Sequence, residues 1–489
     1  MSGQIKRLGK HAVVYAVGVI IGKVASFIML PIYTRYLTPA DYGTLELLEM
    51  TTDVVGMIAG IGLASSVFRF YSAHEDPRHK ASVMSTATTA VLALAVLTGV
   101  AGYAFAAPIT HLVFKGDKPT VYFHLFFLIY IAQSANLIPF ALLRAEEKSG
   151  FFVLLNALQL VTTLTLNIVF VVGRHMGVTG VLLSTLISSG MTSIYLTVYT
   201  YRRIGMHFSM ARLRELAGFG APLVLWSLGS FVLTFSDRYF LNFYKGTAVV
   251  GIYSLGYKFG FILMAFAVRP FSLVWEPRRF EIAKQPDADD VFNRMFVYLN
   301  VVLLIGAFAI TVYVKDFLRV MSDRAFLSAY EVVPIIMLAY ILQAWTTYCN
   351  TGLYLENRTD LIAWTAVLSV VANIALNFLW IPTYGMFGAA WATLGAFAVR
   401  FAFIYGWSQR VHAIHYHWGR VVWLLALVAV GYALHRIIPD THLMFTLGAN
   451  TLILAVVVTV AYFTVLTGSE RRTAIRIVGD RVSPLLSWS

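Results

Sequence analysis

The stretch PIYTRYLTPADYGTLELL, Pro31 to Leu48, decides the fold. It joins two long apolar segments, and its residues suit the edge of a membrane. Pro31 lies near the end of an apolar run, where its missing N–H and its ring bend a helix. Tyr33, Arg35 and Tyr36 supply the amphipathic rings and the cation of a membrane–water boundary. Thr38, Pro39 and Asp41 then spell a helix start: a capping hydroxyl, a proline in the first turn and an acid three residues after the cap. The chain is expected to cross a bilayer, turn within a few residues and cross back.

Composition extends this reading to the whole chain. Of 489 residues, 59% are hydrophobic and 12% charged, against about 25% charged in an average soluble domain. Mean hydropathy is +0.74. Apolar segments recur at 11–36, 42–70, 82–106, 120–143, 150–173, 178–201, 217–243, 248–275, 292–314, 329–354, 360–381, 387–409, 420–438 and 444–467. Each approaches or exceeds the roughly 20 residues that a spanning helix needs. The expected fold class is therefore all-α, a polytopic membrane protein of about fourteen transmembrane helices. The first segment has no small-residue cleavage site at its end and reads as a span, not a removable signal. The single cysteine, Cys349, excludes an intramolecular disulfide.

The net charge of +13 would suggest nucleic acid in a soluble protein. Here the basic residues follow topology. One set of helix ends holds Lys6, Arg7, Lys10, Arg202, Arg203, Arg278, Arg279, Arg471, Arg472 and others. The opposite set holds only Arg35, Lys115, Lys118, Arg174, Lys245, Lys315, Arg319, Arg324 and Arg436. The positive-inside rule puts both termini in the cytoplasm and leaves no hydrophilic domain for a nucleic-acid partner.

The chain also repeats itself. Thr34–Leu37 (TRYL), followed by Tyr42 and Gly43, returns as Asp237–Leu241 (DRYFL), followed by Val250–Tyr253 (VGIY). Leu166–Phe170 (LNIVF) with Gly177–Thr185 returns as Leu376–Trp380 (LNFLW) with Gly385–Thr393. The offsets are 238 − 35 = 203 and 377 − 167 = 210. Six helices per copy preserve orientation, so the halves read as parallel repeats. The expected organisation is an N-terminal lobe at 1–205, a C-terminal lobe at 206–412, and helices thirteen and fourteen with a cytoplasmic tail at 413–489.

Charges inside spans are the candidate functional residues, because they are costly in lipid and usually face a polar interior. Glu46, Glu49 and Asp53 fall within about a 60° arc of the second helix. They suit a proton or cation site, although Glu46 also suits a solvated outer interface. Lys258, Arg269 and Glu276 lie at spacings of 11 and 7, nearly on one face of the eighth helix. Lys23 is an intramembrane base of the first helix. Arg238, beside Asp237, reads either as a lumen cation or as a local ion pair. Arg400 reads either as a lumen cation or as a snorkelling side chain.

The opening stretch resembles the signature of polysaccharide flippases of the Wzx type, within the multidrug/oligosaccharidyl-lipid/polysaccharide exporter superfamily. Pro31–Leu37 fits P-x-Y-T-R-x-L, and Thr38–Gly43 fits T/S-P-x-x-Y-G. Asp237, Arg238, Leu241, Gly251, Tyr253 and Lys258 fit the second-half pattern D-R-x-x-L … G-x-Y-x-x-x-x-K. The resemblance implies two lobes around a cationic cavity, with Lys23, Lys258, Arg269, Arg238 and Arg400 as substrate-binding residues. Glu46, Glu49, Asp53 and Glu276 would be coupling or lumen acids. The implied function is translocation of undecaprenyl-diphosphate-linked oligosaccharide across the bacterial cytoplasmic (inner) membrane by alternating access. Implied partners are that lipid-linked oligosaccharide and membrane lipids, with room for polysaccharide polymerase or chain-length proteins and for H⁺ or Na⁺ coupling. Helices thirteen and fourteen are similar to the extra pair of lipid II flippases. A cation-coupled multidrug exporter is the alternative, and a membrane polymerase or glycosyltransferase a more distant one.

No enzymatic signal stands beside this. No G-x-x-x-x-G-K-[ST] occurs, and Gly18–Lys23 has the wrong spacing for a phosphate loop. Asp287 with Asp289 reads as a solvated turn. His412, His415 and His417 have no cysteine nearby to complete a metal site. No catalytic residue, cofactor or metal is expected.

Overall fold

The computed structural model describes residues 29–60, 62–73, 75–439 and 442–472. Among them the chain is all-helical, with short turns. Twelve helices are long and apolar enough to cross a membrane, from Pro77–Ala104 to Leu443–Thr464. Helices Pro39–Ala59 and Leu63–Ser72 pass the same test together as one bent span. These thirteen match the second to fourteenth apolar segments, and the molecule is a polytopic all-α membrane protein of about fourteen spans. Most of the first segment, including Lys23, lies outside the described residues; residues 29–36 are helical.

The junction closes as its sequence demands. Thr38 caps helix Pro39–Ala59, with Pro39 in the first turn. Asp41 N donates to Thr38 Oγ1 at 3.2 Å, and Thr38 N donates back to Asp41 Oδ2 at 3.2 Å. Two orphan amides of the helix start are thereby satisfied. Thr34 turns its hydroxyl onto the Leu30 carbonyl at 2.9 Å, which hides a polar group in the last turn before the loop.

Two features lay beyond the hydropathy pattern. The third apolar segment, 82–106, lies in helix Pro77–Ala104, and beyond its end a separate short helix, Ala106–Phe114, follows Phe105. Lys115 ends that helix, donating from Nζ to the Phe243 carbonyl at 2.8 Å with its ammonium 4.3 Å from the Phe243 ring. The long span Thr247–Ile282 is interrupted by a π-helical turn at Met264–Val268.

The repeat has a conformational counterpart. Gly177 and Gly385 occupy corresponding places and both have left-handed φ, +54° and +56°. Each starts or immediately precedes a helix, Gly177–Ile204 and Met386–Val411. Asn167 to Gly177 is 10 residues, whereas Asn377 to Gly385 is 8. A π-helical segment, Ile168–Gly173, lies in the longer copy, where wider turns take up extra chain.

The chain forms two compact units. The first takes the described chain up to Ser254, with Met321–Phe326 and Asn377–Ala389; the second takes Leu255–Val320, Leu327–Leu376 and the described chain from Ala390. In the first unit, Leu63, Val67, Met84, Ala87, Ile138 and Leu216 build a buried apolar core. Ser66 spans it with a hydroxyl bond of 2.8 Å to the Leu216 carbonyl. In the second unit, Trp275 stacks on Tyr348 at 4.7 Å between ring centroids, and Tyr348 donates to the Phe292 carbonyl at 2.7 Å. The last two helices dock there through a buried polar knot. Asn450 donates to Asp316 Oδ2 at 3.2 Å and accepts from His435 Nδ1 at 2.7 Å, while the Thr446 hydroxyl lies 3.2 Å from Asp316 Oδ1.

Candidate functional site: charged groups within the spans

In the first unit, helix Pro39–Ala59 buries Tyr42, Gly43, Thr44, Leu47, Leu48 and Met50. Of its acids, Glu46 is half-buried, whereas Glu49 and Asp53 are exposed. A carboxylate on an exposed position of a span is costly in hydrocarbon, which makes this face a candidate functional surface. Beside this face Thr51 shares a hydrogen bond of 3.0 Å with the Tyr239 hydroxyl. Tyr239 also lies within electrostatic reach of Asp53. Tyr239 stands next to the DR pair in sequence, and its neighbourhood with Asp53 is a tertiary fact that no spacing announces.

Asp53→Asn removes this charge at nearly constant volume. Export is expected to fall about tenfold or more at near-normal protein level, as for loss of one charge-assisted contact. Protein level and surface glycan measured together check this. Lost expression with normal transport by the surviving protein would make Asp53 a structural residue.

Arg238 is placed differently. It is 1% exposed and Asp237 2%, with Arg238 Nη1 2.7 Å from Asp237 Oδ1. The same nitrogen donates to the Thr234 carbonyl at 2.7 Å, and Tyr253 donates to Asp237 Oδ2 at 2.6 Å. Three matched residues of the DR … Y pattern thus form one buried knot, and the local ion pair foreseen beside the lumen reading is made.

The second unit carries the other cations. Lys258 and Arg400 are half-buried, and Arg269 and Glu276 are exposed. The π turn Met264–Val268 sits between Lys258 and Arg269. A π turn advances the chain with less rotation per residue, so the single-face alignment expected of an unbroken α-helix does not carry across it. Arg279, counted from sequence only among the interfacial bases, is 6% exposed. Its Cζ lies 4.0 Å from the Tyr354 ring centroid.

The histidines engage separate carboxylates. His412 Nδ1 is 3.0 Å from Glu356 Oε1, and His415 Nδ1 is 3.8 Å from Asp289 Oδ2. Among the described residues no three His, Cys, Asp or Glu side chains gather around a point that would suit a metal ion.

Residues 8–283 match the family described as polysaccharide biosynthesis protein. A Haloferax volcanii protein described as a low-salt glycan biosynthesis flippase, Agl15, is 23% identical over 221 residues. That match takes in 44% of this chain and 46% of the relative, so the chain spans under half the length of that protein. A Shigella flexneri protein described as an O-antigen transporter is 21% identical over 374 residues, 73% of this chain and 87% of the relative. Among solved structures, the lipid II flippase MurJ in an inward closed conformation superposes with TM-score 0.70 at 12% identity, covering 92% of this chain and 99% of its own. An inward-facing multidrug resistance transporter of the MATE family superposes with TM-score 0.63 at 15% identity, covering 83% and 98%. At these identities the two structures speak for the fold alone.

Proposed function

The chain belongs to the polysaccharide biosynthesis protein family, and on that premise we propose that it is a flippase-type membrane transporter and propose its substrate and cycle. It carries undecaprenyl-diphosphate-linked oligosaccharide from the inner to the outer leaflet of a bacterial cytoplasmic membrane. Residues 1–205 and 206–412 act as two lobes that open alternately, with 413–489 appended. The sugar head group passes along a polar path while the lipid tail stays in the bilayer.

The observation that carries this reading is charge inside spans. Glu49 and Asp53 project from an uncovered face of one unit, and Lys258, Arg269 and Arg400 belong to spanning helices of the other. Cations suit a diphosphate and acidic sugars; carboxylates suit a coupling H⁺ or Na⁺. Deletion of the gene tests the reading. It should abolish surface glycan and leave lipid-linked oligosaccharide accumulated on the cytoplasmic face. The acid-bearing face also suits a cation-coupled drug exporter; that second reading takes over if deletion changes drug susceptibility with no lipid-linked sugar accumulated.

Lys258 is the head-group ligand in this proposal, with Lys23 a second. Lys258→Ala should lower export roughly 10–100-fold, the worth of one hydrogen bond to a charged group. Lys258→Arg should retain part of it and Lys258→Glu should be worst. Equal export by the Ala variant and wild type, at matched protein level, would remove Lys258 from the site.

Both termini are cytoplasmic in this scheme. Reporter fusions near residues 116 and 480 should therefore report opposite faces of the membrane. The same face for both would break the fourteen-span topology.

A further inference from the structure

We infer that residues 205–210, the link between the two repeats, form an interfacial anchor that seats Met206, Phe208 and Met210 in the anionic head-group layer of the cytoplasmic leaflet. Nothing in this depends on the substrate carried; it needs the spans and their proposed orientation.

Gly205 ends helix Gly177–Ile204, and Ser209 caps the next helix, Met210–Lys245. The residues 205–209 between them are not helical, and Ser209 has extended backbone angles. Two side chains of helix Pro77–Ala104 staple this link along its length. Ser85 Oγ donates to the Gly205 carbonyl at 3.0 Å and accepts from His207 N at 2.8 Å. Thr86 Oγ1 donates to the His207 carbonyl at 3.4 Å and accepts from Ser209 N at 3.1 Å. Both Ser85 and Thr86 are buried. The two hydroxyls thus stand in for a neighbouring strand and engage the backbone of every second residue, 205, 207 and 209. Extended backbone sends successive side chains to opposite faces. Met206 and Phe208 therefore share one face, which Met210 continues at the helix start. They are 77%, 53% and 54% exposed.

A row of large apolar side chains held rigidly in the open marks an interaction surface. Depth selects its occupant. Ser85 stands 104 − 85 = 19 residues from the end of helix Pro77–Ala104. That is roughly 29 Å at 1.5 Å per residue, close to the ~30 Å thickness of a hydrocarbon core. The staple therefore holds the link at the boundary between acyl chains and head groups. Charge agrees with this. Residues 202–215 carry Arg202, Arg203, Arg212 and Arg214 against Glu215 alone, and Arg202, Arg203 and Arg214 are exposed. Cations flanking apolar side chains suit an anionic leaflet. Three side chains are too few for a stable protein interface, which takes roughly 800 Å² from each partner. Anchored in this way, the joint between the repeats is a fixed strap and not a loose tether.

The test uses the full-length protein in lipid nanodiscs, with an environment-sensitive fluorophore on Phe208→Cys. The native Cys349 is buried, and its background is read from wild type. In discs containing phosphatidylglycerol, a lipid spin-labelled near its head group should quench this label about twofold or more better than aqueous iodide does. The label on His207→Cys, on the opposite face, should show the reverse order. Arg202→Gln with Arg203→Gln should move the Phe208→Cys label toward the aqueous pattern, as should Ser85→Ala, which removes half of the staple. Dominant iodide quenching at Phe208→Cys overturns the anchor. Equal lipid quenching in purely zwitterionic discs overturns the anionic assignment. A photoreactive group in place of Phe208 that captures protein and not lipid in cells makes the row a protein-docking face, which also overturns it. The reporter fusions near residues 116 and 480 test the orientation separately, so its failure is told apart from failure of the anchor.

Discussion

Gly43→Leu is expected to abolish export and to leave little folded protein. Gly43 and Gly251 are corresponding glycines of the repeat, 251 − 43 = 208 residues apart, and they meet face to face. A Cβ on Gly43 would fall onto the Thr247 carbonyl oxygen, and one on Gly251 onto the Pro39 carbonyl oxygen. Each added Cβ would also stand 2.8–2.9 Å from the backbone nitrogen of the other glycine. The obstacles are backbone atoms at the starts of two helices, Pro39–Ala59 and Thr247–Leu263, and cannot swing aside as a side chain would. Even Gly43→Ala must part the helices. Overpacking of this kind costs about 1–3 kcal/mol and sometimes more, so the alanine variant should lower Tm measurably and the leucine variant should fail. Gly43→Ala and Gly251→Ala should be strongly non-additive, since the first substitution already separates the pair. Melting of the purified variants and export in a deletion strain measure both effects. Wild-type export by Gly43→Leu would show that the close crossing is dispensable.

The same glycines show how far sequence could reach. Length, apolar periodicity and the Thr38–Asp41 cap are local signals, and the spans and the capping box followed from them directly. The repeat was visible because Gly177 and Gly385 are needed for backbone conformation, and Gly43 and Gly251 for close approach; such demands restrict residue type. Other features left no local trace. The short helix Ala106–Phe114 falls between the third and fourth apolar segments and is too short to register as a span. The π turn between Lys258 and Arg269 changes register without changing composition. Arg279 looked interfacial because a basic residue near a helix end usually is, and its burial under Tyr354 depends on a helix some 70 residues away. Hydropathy does not distinguish a face covered by lipid from one covered by protein, so the charged faces could be found but not matched to their neighbours.

Asp237→Ala is expected to be among the most destabilising single substitutions in the first unit, and it separates the two readings of Arg238. The guanidinium is 1% exposed, is held 2.7 Å from Asp237, and lies 5.2 Å from the ring centroids of both Phe235 and Tyr253. Removing the carboxylate leaves a buried cation without its counter-ion, a loss of about 3–5 kcal/mol. Tyr253→Phe removes one hydrogen bond to a charged acceptor and should cost about 1.5–3 kcal/mol. Replacing both members, as Asp237→Leu with Arg238→Met, removes the charges together. A buried pair exchanged for apolar groups of similar volume is often neutral or better, so the double variant should recover most of the stability lost by Asp237→Ala. Tm of purified protein gives the stability ranking, and export per folded molecule gives the functional one. A structural pair predicts that the double variant exports normally once its amount is matched. A head-group ligand predicts that it folds and does not export, because Arg238 is gone in either background. Wild-type stability of Asp237→Ala would dismiss the pair as an anchor of this unit. The geometry favours the first outcome: the guanidinium is already bound to a carboxylate and a carbonyl through Nη1 and is sealed from solvent, so a diphosphate has no open approach to it.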